Sequence, residues 1–147
     1  MPIIDANLRF SNGQAITNNF VSQNVIDLSA IRDIGVGRTP YVVAIVTTQL
    51  ADSGDNSNCT VYLQTDEYAA LNAATNTQTL GVFATNAPVG TRIGPIAISP
   101  GKANERYLGL FYSMGGGDMS AGAVTAFITY DPHLWTAYPD AVTISLP

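Results

Sequence analysis

Apolar and polar residues alternate along most of this chain with a period of two, the pattern of β-strands that bury one face. There are about eight such runs, separated by Gly, Pro, Asn, Asp and Ser clusters at intervals of roughly 8–15 residues. The one helix-compatible stretch, residues 66–74, is short, and we expect a turn of helix in a connection there. The pattern predicts an all-β fold: a single-domain, jelly-roll-like antiparallel β-sandwich with extended termini.

The most apolar part of the chain, residues 106–131, predicts the element around which the other strands pack. Residues 106–113 and 121–131 are strand-like, and the glycine-rich segment between them is incompatible with a helix. We therefore expect a long antiparallel hairpin in the middle of a sheet. A second hairpin is predicted at Asn12-Gly13, because Asn-Gly between alternating apolar residues is a strong hairpin signal.

Three further segments have clear strand signals. Residues 41–48 form a continuous apolar run and predict a buried strand. Pro95, inside the strand-like segment 91–99, predicts an edge strand or a broken one. Cys59 alternates with apolar residues in the run CTVYLQT, so the single cysteine is predicted to be buried and reduced.

Charge and composition narrow the classes of partner. Charged residues make up 12% of the 147 residues and the net charge is −5, which disfavours binding to a nucleic acid backbone or an anionic membrane. The first residues, MPIIDANLRF, lack the features of a signal peptide. No apolar run approaches the roughly 18 residues of a membrane span. We expect a protein made in a cytoplasm, with no nucleic acid or membrane partner.

Two loops contain residue types that occur in ligand sites. Gly35 to Thr39 resembles part of a phosphate loop but lacks the Lys-Ser/Thr element and a following helix. The oxygen-rich loop after the 41–48 run suits calcium in ligand type, but its spacing misses the EF-hand pattern, so a solvated loop is the preferred interpretation. The side chains of that loop are Asp52, Asp55, Asn56 and Asn58.

Catalytic and zinc sites have little support in the sequence. One histidine, His133, and one cysteine are too few for structural zinc, and the serines lack a nucleophile-elbow pattern. We expect no metal, nucleotide or other cofactor and no enzymatic activity. A hydrolase has the least support of the functions considered.

Aromatic residues leave a binding module open as an alternative function. Tyr107 and Phe111 share one face of a predicted strand, and Tyr62 or Tyr130 is expected nearby. Such a set forms a sugar-binding platform when it is exposed and fills the core when it is buried. A carbohydrate-binding β-sandwich is therefore the alternative function.

Several segments together resemble one known family, the small capsid cement or decoration proteins of tailed bacteriophages, of the Bordetella podovirus type. The segments are NVIDL at 24–28, RDIGVG at 32–37, VYLQTD at 61–66, RYLGL at 106–110 and AGAVTAF at 121–127. The resemblance runs from residue 1 to about residue 131. It implies a jelly-roll protein on the outside of an icosahedral shell, bridging capsomers of a different, major capsid protein. It implies no catalytic residues.

The resemblance also sets expectations about assembly. It implies a symmetric clamp on a symmetric shell, and a jelly roll has sheet edges that need covering, so a small homo-oligomer, a dimer or trimer, is expected. An acidic protein gains nothing from contact with packaged DNA, which favours the outer side of the capsid.

The C-terminal segment is predicted to be separate from the sandwich. Residues 1–132 are assigned to the sandwich and 133–147 to an extended arm punctuated by prolines. Burial of its large apolar side chains is worth roughly 1.5–3 kcal/mol each. The arm therefore packs on its own sandwich or joins a neighbouring subunit or the capsid as an added strand, and the second is our hypothesis. The candidate partner-binding residues are Leu134, Trp135, Tyr138, Val142, Ile144 and Leu146.

Overall fold

A computed structural model describes residues 4–34 and 37–131, which form a sandwich of two antiparallel sheets. A short 3₁₀ turn, Ala6–Leu8, precedes the first strand and contacts the last one. The strands in chain order are β1 (Arg9–Ala15), β2 (Phe20–Val21), β3 (Ile26–Asp27), β4 (Tyr41–Ala51), β5 (Asn58–Asp66), β6 (Thr75–Phe83), β7 (Arg92–Ala97), β8 (Tyr107–Gly115) and β9 (Ala121–Thr129).

The strand order confirms the predicted all-β, jelly-roll-like sandwich. Sheet A has the order β1-β9-β4-β7, and sheet B has the order β2-β8-β5-β6, with β3 also pairing with β8. Ser22 lies between β2 and β3 and exchanges hydrogen bonds with the Leu110 backbone through its N–H and its hydroxyl. β2 and β3 are thus two pieces of one interrupted strand. Of the eight strands that result, β5 and β6 are neighbours in sheet B, and all other consecutive strands lie in opposite sheets, as in a jelly roll.

The predicted hairpin over residues 106–131 is wrong, although both of its strands exist. β8 lies in sheet B between β2 and β5, and β9 lies in sheet A between β1 and β4. The glycine-rich segment therefore crosses from one sheet to the other. Gly116 has a φ of +85°, and a Cβ there would overlap the carbonyl oxygen of Asn56. Glycine is needed at this position because the crossing packs directly against the loop after β4.

The predicted hairpin at Asn12-Gly13 is also wrong, because both residues lie inside β1. The pairing register of β1 with β9 shifts between Ser11 and Gln14, as in a β-bulge. Gly13 has a φ of +58°, and its N–H donates to the Thr125 hydroxyl at 2.9 Å. The Asn-Gly pair provides the positive φ that its composition predicts, but it bends one strand and does not join two.

Side chains from both sheets form one core between them. Val42, Ala44 and Val46 of β4 contribute to it, which confirms the buried strand predicted at 41–48. Cys59 has no exposed surface, as predicted, and burial raises the pKa of its thiol to about 12. Tyr112 is fully buried, and its hydroxyl bonds the Ser11 hydroxyl at 2.7 Å across the two sheets.

Amide side chains bridge the two sheets along both sides of the sandwich. The Gln78 side chain of β6 donates to the Ala97 carbonyl of β7 at 2.8 Å and accepts from the Ser99 N–H at 3.1 Å. On the opposite side, Gln14 of β1 donates to the Val21 carbonyl of β2 at 2.8 Å and accepts from the Gln23 N–H at 2.8 Å. Each sandwich side is therefore held together by glutamine side chains.

Other predictions have mixed outcomes. β7 contains Pro95 and is an edge strand of sheet A, as predicted. Residues 67–74 form bends and turns and contain no helix, so the turn of helix expected in this connection is wrong. Gly35, Val36 and the proposed C-terminal arm, 133–147, lie outside the described residues.

Candidate interaction surface

Strand alternation decides which side chains of sheet B face away from the core. In β5, Cys59, Val61 and Leu63 belong to the core, so the residues between them point outward. Tyr62 is one of these outward residues, and its direct cross-strand partner is Phe111 of β8. Both rings are half-buried on the outer face of the sheet.

The two aromatic rings belong to a larger outward surface, on the half of sheet B that surrounds the Tyr62–Phe111 pair. Its most exposed apolar members are Val21, which is 42% exposed, and Val82, which is 54% exposed. We call this surface the open half of sheet B. It consists of a row formed by Val21, Phe111, Tyr62 and Thr79 and an adjacent row formed by Ser113, Thr60 and Val82.

The other half of the same face, around Gly109 of β8, is covered by the loop after β5. Leu71 is buried, and a Cβ at Gly109 would overlap its Cδ1, so the leucine lies directly on the Gly109 backbone. The buried Asp66 carboxylate accepts from the N–H groups of Tyr68 and Ala73, both at 3.1 Å. These bonds close residues 66–73 into a compact loop. The loop covers one half of the outer face and leaves the open half of sheet B uncovered.

A shallow cleft of about 380 Å³ lies between this loop and the segment that follows β3. Ile31 and Tyr68 line it and are both exposed. Arg106 also lines it and forms a bidentate ion pair with Asp27 at 2.9 Å for both contacts. The Arg106 guanidinium, together with the Ser29 N–H, lowers the pKa of Asp27 from its ordinary value. The cationic side chain in the cleft is thus already paired.

Charged residues are excluded from the middle of both sheets. Each charged residue within a strand is the first or the last residue of that strand, and these residues are Arg9, Asp27, Asp66 and Arg92. No other residue of the strands β1 to β9 is charged. The open half of sheet B is therefore a neutral surface of hydroxyl, aliphatic and aromatic groups, and depletion of charge is the compositional mark of protein interface centres.

The outer face of sheet A differs from that of sheet B in exposure. Val43 and Phe127 are cross-strand partners, and they alternate with core residues of β4 and β9. They therefore point away from the core between the sheets. Even so, Val43 is 0% exposed and Phe127 is 1% exposed. Tyr41 and Ile45, also outward on sheet A, are half-buried. The outward strand residues of sheet B include two exposed valines, Val21 and Val82.

The structure brings together two of the aromatic residues that the sequence offered as a sugar platform. Tyr62 and Phe111 are adjacent, as one of the two alternatives requires. Tyr130 follows β9 of the other sheet, with the Arg38 guanidinium 5.0 Å from its ring. Tyr107 lies under Arg106, also at 5.0 Å. The pairing of β5 with β8 therefore selects Tyr62, and the remaining two rings each contact an arginine.

The loop considered for calcium holds its main carboxylate in backbone hydrogen bonds. Asp52 accepts from the N–H groups of Gly54, Asn56 and Ser57 at 3.0–3.1 Å, and these bonds lower its pKa to about 2. Among residues 4–34 and 37–131, no group of three or more His, Cys, Asp or Glu side chains is arranged to hold a metal. The loop is also bonded to the segment after β6, where the Asn86 side chain accepts from the Asp52 N–H at 3.2 Å.

The predicted partner-binding residues of the arm are outside the described part of the chain. They are Leu134, Trp135, Tyr138, Val142, Ile144 and Leu146. None of the helical segments in the described residues is long and apolar enough to cross a membrane. Sequence reasoning missed Val21, Thr79 and Val82 as surface partners of Tyr62, because only the strand pairing places them side by side.

The fold and this surface define a jelly-roll protein whose sheet B has a neutral, partly exposed outer face. The profile of the Bbp16 family matches residues 10–128, from β1 to the penultimate residue of β9. The chain belongs to the Bbp16 family, a phage-associated family of proteins. The comparison with curated proteins gives no significant match.

Proposed function

We propose that this chain is a structural virion protein that decorates and cements the outside of a tailed-phage icosahedral capsid. In this role it bridges major capsid protein subunits, acts without catalysis, and is made in the host cytoplasm before it joins the virion. The observation that carries the proposal is membership of a phage-associated family over both sheets of the jelly roll. The net charge of −5 supports a place on the outer side, away from packaged DNA.

The proposed assembly is a homo-oligomer, either a dimer or a trimer, because a clamp between symmetric capsomers has matching symmetry. Light scattering at high concentration measures this directly. A strict monomer would contradict a homo-oligomer in solution. The proposed role on the capsid would then depend on binding of the protein to the shell.

Co-sedimentation tests the function itself. Purified protein is mixed with capsid shells from a mutant of its own phage that lacks this gene, and the shells are pelleted. We expect saturable binding at a fixed ratio to the major capsid protein, together with greater resistance of the shells to heat. Shells that neither bind the protein nor gain heat resistance would overturn the proposal.

A carbohydrate-binding module is the second candidate, and the adjacent Tyr62 and Phe111 rings are the observation that favours it. A Tyr62→Ala variant separates the two candidates when it is compared with the wild type on immobilised host polysaccharide and on shells. Loss of polysaccharide binding, with no binding to shells by either protein, would favour the second candidate.

A further inference from the structure

We propose that the Asn12-Gly13 peptide in β1 is a deamidation site, and that the Thr125 hydroxyl of β9 slows the reaction in the folded protein. This inference concerns the chemical lifetime of the chain and does not depend on the proposed function. Two observations carry it. The Asn-Gly pair lies in an exposed bulge of β1, and the glycine donates its N–H to the hydroxyl of a neighbouring strand.

Deamidation at an Asn-Gly pair needs only water and a base. The backbone nitrogen of Gly13, after a base has taken its proton, attacks the side-chain carbonyl carbon of Asn12. A new C–N bond forms, the bond to the side-chain nitrogen breaks, and ammonia leaves, which gives a five-membered succinimide. Water then opens this ring at either of its carbonyl groups and produces aspartate or isoaspartate. Glycine in the second position favours the attack because it has no side chain to hinder it.

The bulge leaves both residues open to solvent. Asn12 and Gly13 are exposed, whereas Phe10 and Ser11 before them are buried. A Cβ built at Gly13 would have no atom within 4 Å, so no neighbouring group covers that side of the peptide. The fold therefore admits the water that opens the succinimide, and any protection has to act on the first step.

The proton that the first step must remove is held in a hydrogen bond. The Gly13 N–H donates to the Thr125 hydroxyl at 2.9 Å. The register of β1 against β9 skips Asn12 and Gly13, and Thr125 lies between the β9 partners of Ser11 and Gln14. The amide must leave this hydrogen bond before a base can remove its proton, as local opening limits amide hydrogen exchange. The Thr125 hydroxyl therefore keeps the attacking nitrogen protonated.

The neighbours of the bulge explain why protection matters to the fold. Isoaspartate at position 12 would add one atom to the backbone between Ser11 and Gln14. The Ser11 hydroxyl bonds the buried Tyr112 hydroxyl at 2.7 Å, and Gln14 donates to the Val21 carbonyl of sheet B at 2.8 Å. A longer backbone between these two residues would displace at least one of them. Slow deamidation thus preserves two contacts that join the sheets.

Substitutions at Thr125 test its role against a matched control. Thr125→Val removes the hydroxyl and keeps the shape of the side chain, whereas Thr125→Ser keeps the hydroxyl. Thr48→Val makes the same change at an exposed position of β4, opposite Ala123 of the same β9 strand. Thermal unfolding verifies that each protein folds, and Thr125→Ala replaces the valine variant if that protein does not.

The proteins are incubated at mildly alkaline pH, and mass spectrometry measures the conversion of Asn12. We expect conversion in Thr125→Val to be about fivefold faster than in the wild type, the factor for the loss of one ordinary hydrogen bond. Hydrogen exchange of the Gly13 amide should be faster in the same variant. Thr125→Ser and Thr48→Val should match the wild type within about twofold. Wild-type protein unfolded in urea should convert faster than the folded protein.

Three results would overturn the inference. Equal conversion rates in Thr125→Val and the wild type would remove the role of the hydroxyl, and so would equal acceleration by Thr48→Val, because sheet A would then be loosened in general. Conversion of the folded wild type as fast as that of the urea-unfolded chain would show that the fold gives no protection. An unfolded chain that does not convert at Asn12 would exclude the site itself.

Discussion

Two outward apolar clusters, one on each sheet, are alike in chemistry and differ in exposure. On sheet A, Val43 and Phe127 form a cross-strand pair with almost no accessible surface. On sheet B, Phe111 is half-buried beside Tyr62, and Val82 is more than half exposed. The same strand alternation therefore places one outward apolar pair, Val43 and Phe127, out of contact with water and leaves another apolar group, Val82, exposed.

The largest expected effect comes from truncating one phenylalanine on each face. Phe127→Ala should cost about 3–5 kcal/mol of unfolding free energy, the range for a buried aromatic ring. Phe111→Ala should cost about 1 kcal/mol, because its ring is already partly in water. Urea unfolding measures both values. Equal losses would show that the two faces contribute equally to stability and would remove the contrast between them.

A methyl group at Gly109 tests the covered half of sheet B. Gly109→Ala should destabilise the protein by about 1–3 kcal/mol, because the new Cβ overlaps Leu71 and displaces the loop above it. The control is Gly54→Ala in an exposed loop, where the nearest atom belongs to the Asn56 side chain, which can move. Thermal unfolding compares them. A Gly109→Ala protein as stable as wild type would mean that Leu71 does not hold the loop on the sheet.

A smaller effect is expected from adding a hydroxyl to one valine on each face. Val43→Thr should cost about 1–2 kcal/mol, since it buries a polar group in place of a methyl. Val82→Thr should change stability by no more than about 0.5 kcal/mol at its exposed edge position. Chemical unfolding of the two variants gives the comparison, and a costly Val82→Thr would indicate that the open face is covered within the single chain.

The smallest effect concerns the charged ends of the sandwich, in contrast to its neutral faces. The folded-state pKa of Asp52 is about 2, below its ordinary value of 3.8, so its carboxylate stabilises the fold above pH 3.8. That contribution is lost as the pH falls through 2. The difference in Tm between wild type and Asp52→Asn should therefore narrow between pH 4 and pH 2. Asp118→Asn, another exposed carboxylate, is the control, and an identical narrowing there would contradict the assignment to Asp52.

The alternation of apolar and polar residues and the turn-forming clusters between the runs were enough to predict the sandwich, because both signals depend on residues that are close in sequence. Cys59, Val61 and Leu63 face the core as their spacing predicts. Which strands pair with each other could not be predicted in the same way. β8 and β9 are adjacent in sequence and look like a hairpin, yet each pairs with strands that are remote in the chain. Pairing of this kind depends on the packing of the whole core.

Local glycine signals were correct about conformation and wrong about topology. Gly13 has the positive φ expected of a turn, but the residue serves a bulge that continues β1. The candidate surface shows the same division. Tyr62 and Phe111 were identifiable as aromatic strand residues, whereas their contact follows from the register of β5 against β8. Thr79 and Val82 had no signal of their own, because exposed threonine and valine are ordinary in strands.

The glutamine bridges along the two sides of the sandwich have a consequence for crowding. Gln14 and Gln78 already hydrogen-bond to backbone groups that flank the outermost strands, which leaves fewer groups there for a foreign strand. Many copies of a β-protein packed side by side would otherwise be prone to join by their edges into fibres. These two side chains therefore lower the tendency of concentrated copies to pair by their edges.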